Sequence, residues 1–299
     1  MIDPGLKDKI VLVTGGNNPH GIGAATARAF AAQGAAVFIH YLRQPFDPKG
    51  IKDQKELQTP GLPFFLSQQA KSADEVVQEI QRAGGRAASW ECDLAIPKAI
   101  PALFDRAEDE LGPVDVLVNN AAEYLADTFV PESLLQDTDA ALWEGGPWIA
   151  TITPDSIDRH FAVNTRATAL LMAEFTSRLV ERESSWGRII NVSADCSWGS
   201  PGEISYRASK YALESYSRSA AAELGPLGIT VNVVSPGPVQ SGYIAPEAEK
   251  ELVEEIPLRR IGQPEDIADV ILFLASEQAR WITGQVITVH GGHRMALGR

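Results

Sequence analysis

The stretch 9-KIVLVTGGNNPHGIG-23 opens on a continuous apolar run and closes on a glycine-rich turn, with five residues between Gly15 and Gly21. The Ala-rich segment 21-GIGAATARAFAAQG-34 follows directly and has helical character. Together they read as strand, turn and helix. A helix that starts on such a turn offers unpaired backbone N–H groups and the positive end of its dipole to an anion. Glycine lets the backbone approach a pyrophosphate and lets the helix pack closely on the strand. Gly15, Gly21, Ile22 and Gly23 are therefore candidate phosphate-binding residues, with 16-GNNPH-20 as a long lip over the phosphates or the adenine ribose. Taken alone, the stretch also reads as an ordinary strand-to-helix turn.

Working outward, the same unit recurs. Strand-like runs stand at 36-AVFIHY-41, 87-AASWECDL-94, 114-VDVLVNN-120, 187-GRIINVS-193, 229-ITVNVVSPG-237 and 286-VITVHGG-292, separated by helical stretches such as 209-SKYALESYSRSAAAELG-225. The runs are nearly continuous in Val and Ile rather than alternating, as in parallel strands covered on both faces. About seven such units predict a doubly wound parallel α/β sheet with helices on both faces, in a single domain over 1–299. Two interruptions break the rhythm, at 43–72 and at 123–152, the second carrying Trp143 and Trp148. The first reads as a mobile flap, an oligomer contact or decoration.

Composition narrows the function classes. A net charge of −13 argues against a surface for nucleic acid or anionic membrane, both of which favour clustered Lys and Arg. Apolar content of 44% and charged content of 22% are ordinary for a soluble globular chain. No apolar run approaches the ~18 residues of a membrane span, and the start, MIDPGLKDK, lacks a signal-peptide core, so the expected location is cytoplasmic. Cys92 and Cys196 read as reduced thiols. His40, His160, His290 and His293 lack zinc-site spacing, and no metal is expected.

Further motifs follow in order: 119-NNAA-122, Asn164 in 161-FAVNTR-166, the Tyr-x-x-x-Lys pair of 206-YRASK-210, 236-PG-237 and the ending 281-WITGQVITVHGG-292. In this order they resemble the short-chain dehydrogenase/reductase family over about 80% of the chain. The segment 257-PLRRIGQPEDIADVILFLAS-276 is especially similar to bacterial 3-oxoacyl-carrier-protein reductases. The resemblance implies a Rossmann-type fold and hydride transfer between a nicotinamide cofactor and a ketone or secondary alcohol. It also implies a small-molecule substrate and a homo-oligomer, tetramer or dimer. The alternative is a dinucleotide-binding regulator or sensor with weak or no catalysis.

By the same resemblance Tyr206 is the general acid, Lys210 lowers its pKa and binds the nicotinamide ribose, and Asn164 holds a water of the proton relay. Tyr206 and Lys210 stand one helical turn apart and share a face. The cofactor set adds Asp93, Leu94, Asn120, Ala121, Pro236, Gly237 and Ser241, and His20 occupies a place where relatives carry Arg. An NAD enzyme of this architecture wants an acid at the end of the second strand. That place holds Tyr41, with Arg43 two residues on, so NADPH is expected over NAD. The substrate-orienting serine divides the reading. Counting back from Tyr206 reaches Ser193, the expected residue, whereas counting along the strand reaches Ala194; Asp195, Cys196 and Ser197 follow as substitutes. Trp186 and Trp198 flank this strand, and Trp198 lines the substrate pocket or simply packs.

Overall fold

The structure is a computed structural model that describes residues 3–51, 53–135, 149–195 and 199–293. Among the described residues the strands are β1 (Ile10–Thr14), β2 (Ala36–Tyr41), β3 (Arg86–Glu91), β4 (Val116–Asn119), the short β5 (Asp127–Thr128) and β6 (Ala150–Thr151), β7 (Gly187–Val192), β8 (Ile229–Pro236) and β9 (Val286–Val289). The helices are α1 (Ile22–Ala32), α2 (Leu62–Gln69), α3 (Asp74–Arg82), α4 (Ala99–Leu111), α5 (Glu132–Leu135), α6 (Pro154–His160), α7 (Thr168–Glu181), α8 (Ile204–Leu224), α9 (Pro246–Glu255) and α10 (Pro264–Ala275).

The main sheet runs β3-β2-β1-β4-β7-β8-β9 and every pairing in it is parallel. Strand order reverses between β1 and β4, and in doubly wound sheets ligands bind at that switch point. The continuous Val/Ile runs are explained by two cores. Val11, Val13 and Ile39 pack with Phe30 of α1, Ile80 of α3 and Ile271 of α10 on one face. Leu12, Phe38 and Ile189 pack with Phe104 of α4 and Phe175 of α7 on the other. Truncating Phe104 or Phe175, both fully buried, would cost about 3–5 kcal/mol through lost burial and the cavity left behind.

The observed elements correct several expected bounds. β3 stops at Glu91 instead of running to residue 94, because Asp93 closes a turn by accepting the Ala95 N–H at 2.8 Å. α8 starts at Ile204, five residues before the expected 209, because Asp127 supplies an acceptor for its first turn: Oδ1 takes the Ser205 N–H at 2.9 Å. The 43–72 segment is not bare loop, since α2 lies in it. The 123–152 segment carries the parallel pair β5–β6; Trp143 and Trp148 lie outside the described residues. Between α6 and α7 the chain makes a wide π turn over Phe161–Ala167, a local form that recurs at functional sites.

Candidate active site

The glycine turn after β1 is held from two sides. Gly15 N and Gly16 N donate to His40 O of β2, at 2.8 and 3.1 Å. Asn120, just past β4, donates its Nδ2 to Thr14 O and Gly15 O at 3.0 and 2.9 Å. Thr14 Oγ1 accepts the N–H groups of both Asn120 and Ala121 at 3.0 Å. Gly15 has φ +72°, and a Cβ there would lie 2.8 Å from Ala121 Cα. Only glycine combines that backbone with that approach. α1 then begins at Ile22 on Gly21, with no side-chain cap and no acid in its first turn. A pyrophosphate therefore fits: the helix start presents donors and partial positive charge without a carboxylate to compete.

The lip is anchored by residues that sequence reasoning passed over. Asn17 Nδ2 donates to Gln69 O and Lys71 O at 3.0 and 2.9 Å, and Asn18 Nδ2 donates to Ser241 O at 3.0 Å. His20 packs its ring against Phe64 of α2, centroids 5.2 Å apart. α2 also reaches the chain after β8, where Phe65 meets Tyr243 edge-on at 5.4 Å and Gly61 N donates to Gly242 O at 2.9 Å. The 43–72 insertion is thus a wedge between the phosphate lip and the segment before α9. The clue in sequence was the pair of asparagines filling the lengthened turn.

At the end of β2, Tyr41 is buried in the core, and burial followed by the Glu91 charge holds its phenol above the ordinary range. Arg43 is engaged by Glu91 of β3: Nε donates to both carboxylate oxygens at 3.0 and 2.8 Å, and Nη2 lies 2.7 Å from Oε2. That hydrogen bonding lowers the Glu91 pKa and raises that of Arg43. Leu94 belongs to the core. His40 is buried with Nε2 on Cys92 O at 2.9 Å, and burial lowers its pKa to about 4. Burial pushes the Cys92 thiol up to about 12, which keeps it protonated.

At the other end, α8 carries Tyr206 and Lys210 on one face. Lys210 is buried, its Nζ 5.7 Å from the Tyr206 ring centroid and donating to Val192 O at 2.9 Å. Asn164, in the π turn, accepts the Glu123 N–H at 2.8 Å and donates to Glu123 O and Ser209 Oγ, both at 2.9 Å. Tyr124 meets the Tyr206 ring edge-on at 5.1 Å, and the His160 ring lies 6.2 Å away. Burial, then the Glu203 carboxylate, raises the Tyr124 phenol well above its usual pKa. His160 is pinned between Leu125 N–H, which donates to Nε2 at 3.0 Å, and Ser156 O, 2.6 Å from Nδ1. Nε2 accepts there, and Nδ1 faces a carbonyl oxygen. At the far side of the sheet Gly237 packs on His290, and Gly237 N donates to Val289 O at 3.0 Å, which places the Pro236–Gly237 bend at the end of β8.

Ser193 follows β7 and is buried. Its hydroxyl donates to Glu214 Oε1 at 2.8 Å, in a buried contact. Glu214 stands eight residues beyond Tyr206 on α8, about 12 Å along the helix axis. The hydroxyl thus donates to a carboxylate on α8, well along the helix from Tyr206. Asp195 O accepts from Arg207 Nη1; Cys196, Ser197 and Trp198 lie outside the described residues. Trp186 sits at the opposite end of β7, with the charges of Lys9 and Arg188 4.0 and 4.2 Å from its ring and its Nε1 donating to Glu277 Oε1 at 2.6 Å. Among the described residues no group of His, Cys, Asp or Glu side chains could hold a metal ion, and no helix is long and apolar enough to cross a membrane.

A family model described as enoyl-(acyl carrier protein) reductase matches residues 49–294. The chain belongs to the short-chain dehydrogenase/reductase family. Two relatives cover nearly its whole length. One is the uncharacterized oxidoreductase YjdA of Bacillus subtilis, 34% identical over 96% of this chain and 97% of its own. The other is a 3α-hydroxysteroid dehydrogenase of Mediterraneibacter gnavus, 31% identical over 97% and 98%. A blue fluorescent protein from a metagenomic library, solved in complex with NADPH, superposes with a TM-score of 0.71 at 31% identity, covering 97% of this chain and 99% of its own. The chain is accordingly a nicotinamide-dependent oxidoreductase acting between hydroxyl and carbonyl groups.

Proposed function

We propose that this short-chain dehydrogenase/reductase reduces a ketone to a secondary alcohol with NADPH as the preferred coenzyme. The observation that carries the reading is the Tyr206–Lys210 pair on α8, tied to Asn164 through Ser209, whose hydroxyl donates to Tyr206 O at 2.6 Å and accepts from Asn164 Nδ2 at 2.9 Å. Thr14, Gly15, Gly23, Asn120 and Ala121 would hold the dinucleotide at its phosphates, and Ser241 and the Pro236–Gly237 bend would meet the nicotinamide end. The coenzyme supplies the hydride when bound. Tyr206 gives its phenolic proton to the developing alkoxide, an exchange aided by the buried Lys210 ammonium, which favours the phenolate. Asn164 fixes the backbone of Glu123 and the Ser209 hydroxyl, and so the path by which a proton returns to Tyr206.

The NADPH preference rests on Arg43 and on the lack of an acid at the end of β2. Position 194 is where the family's serine would stand, so this chain orients the carbonyl without that hydroxyl. Exposed Trp281, Leu258 and Phe273 support a homo-oligomer, which light scattering would size. The test is reduced-nicotinamide oxidation against a panel holding simple ketones, oxosteroids and 3-oxoacyl thioesters. Turnover of any member with NADPH at least tenfold preferred supports the reading. Tight dinucleotide binding with no turnover on the panel would favour a sensor instead.

A further inference from the structure

Three cations on this side of the sheet each already have a carboxylate. Arg28 lies 2.6 Å from Glu79, Arg43 2.7 Å from Glu91, and Lys71 3.0 Å from Glu75. Arg28 also donates to Pro19 O of the lip at 2.8 Å, and Lys71 O is held by Asn17. Arg43 differs from the other two in being wrapped. Its Nε bridges both oxygens of Glu91, and its backbone N–H donates to Oε1 at 3.1 Å. Glu91 stands directly opposite Tyr41 in the β2–β3 register. Tyr41 is the position at which a dinucleotide fold of this kind places the acid for the ribose hydroxyls. An acid lacking from β2 thus stands on the neighbouring strand, one inter-strand spacing away.

We propose that Glu91 is a coenzyme-selecting residue: it restrains Arg43 from a 2′-phosphate, and its own carboxylate serves the ribose hydroxyls when that phosphate is absent. This rests on the reading that Arg43 meets the 2′-phosphate. The physical basis is a competition. A dianionic phosphate must take the guanidinium from a carboxylate that holds it through charge-assisted hydrogen bonds, and must then sit near the displaced negative charge. An unphosphorylated ribose meets no such repulsion and gains an acceptor. The pair thus lowers the preference that Arg43 alone would confer and keeps NADH usable.

Glu91→Gln keeps the shape, removes the charge and leaves one amide oxygen for Arg43. Fluorescence titration with NADPH and NADH is expected to show the NADPH:NADH affinity ratio rising about tenfold over wild type, through tighter NADPH and weaker NADH. Glu91→Ala is expected to move the ratio the same way. Arg43→Ala is expected to weaken NADPH alone and to lower the ratio. A ratio for Glu91→Gln within twofold of wild type, or shifted toward NADH, overturns the proposal. If Arg43→Ala lowers the ratio while both Glu91 variants leave it unmoved, Glu91 is excluded and the Arg43 reading stands. If all three variants leave it unmoved, both fall together. Melting temperatures of the variants separate a local charge effect from a loss of folded protein.

Discussion

The two halves of the sheet are built from different materials. In β1 and β2 the strand side chains are apolar almost throughout, Thr14 and His40 being the buried exceptions, and the turn that follows β1 is held by backbone groups and by the asparagines of the lip. In the β4–β7–β8 half, buried polar side chains stitch strands to helices. Asn119 donates to Asn191 at 2.8 Å, Asn191 donates to Ser217 at 2.8 Å, and Ser193 donates to Glu214 at 2.8 Å. Holding a dinucleotide asks for close backbone approach and fixed dipoles, which need little side-chain chemistry. Moving a proton asks for polar groups kept at fixed geometry, and satisfied buried hydrogen bonds provide that rigidity.

The largest expected effect tests the reacting half. Tyr206→Phe should slow ketone turnover by about 10²–10⁴, the usual worth of a positioned acid, with NADPH affinity nearly unchanged by titration. If turnover survives, the proton comes from elsewhere, with Tyr124 the first residue to replace.

The next effect belongs to the binding half. His40 has a folded pKa lowered from 6.5 to about 4, so the unfolded chain takes the proton first. Its contribution to stability is intact above pH 6.5 and is lost as pH falls toward 4, about 3 kcal/mol in all. Urea titrations at pH 7.5, 5 and 4 should show a steep acid loss in wild type and a shallower one in His40→Gln.

Asp127 links the miniature β5–β6 pair to α8. Its carboxylate accepts both the Ser205 N–H and the Ser156 hydroxyl at 2.9 Å, and the residue is buried. Asp127→Ala should cost about 1–3 kcal/mol through unsatisfied groups, read as a lower urea midpoint with Asp127→Asn partly restoring it.

Ser193→Ala gives the smallest expected effect on rate, turnover staying within about threefold, a barrier change under about 0.7 kcal/mol. Stability should fall by about 1 kcal/mol because Glu214 loses a buried donor. Ala194→Ser is expected to raise turnover by restoring a hydroxyl at the family position. A large rate loss in Ser193→Ala would reverse this assignment and make the two halves less distinct.

The architecture was legible because the central parallel strands β1, β2, β4 and β7 are buried on both faces and so read as nearly continuous apolar runs. The Tyr206–Lys210 spacing was equally plain, since helical periodicity alone brings the two together. The direction of Ser193 was not, because it depends on a partner 21 residues away that no local pattern announces. The carboxylate partner of Arg43 was hidden for the same reason: Glu91 lies 48 positions on and is brought to it by strand pairing. The 43–72 insertion was located by composition, but its seat between lip and α9 depends on aromatic contacts from the far end of the chain.

The π turn at Phe161–Ala167 sets α6 and α7 out of phase. Deleting one residue would let the backbone close into an uninterrupted α-helix, the locally preferred form, while turning Asn164 about 100° away from Ser209 and Glu123. Backbone preference and site geometry are opposed here, so evolution can vary the composition of this segment far more readily than its length. An insertion–deletion scan should find residues 161–167 intolerant of any change in residue count, even where single substitutions pass unnoticed.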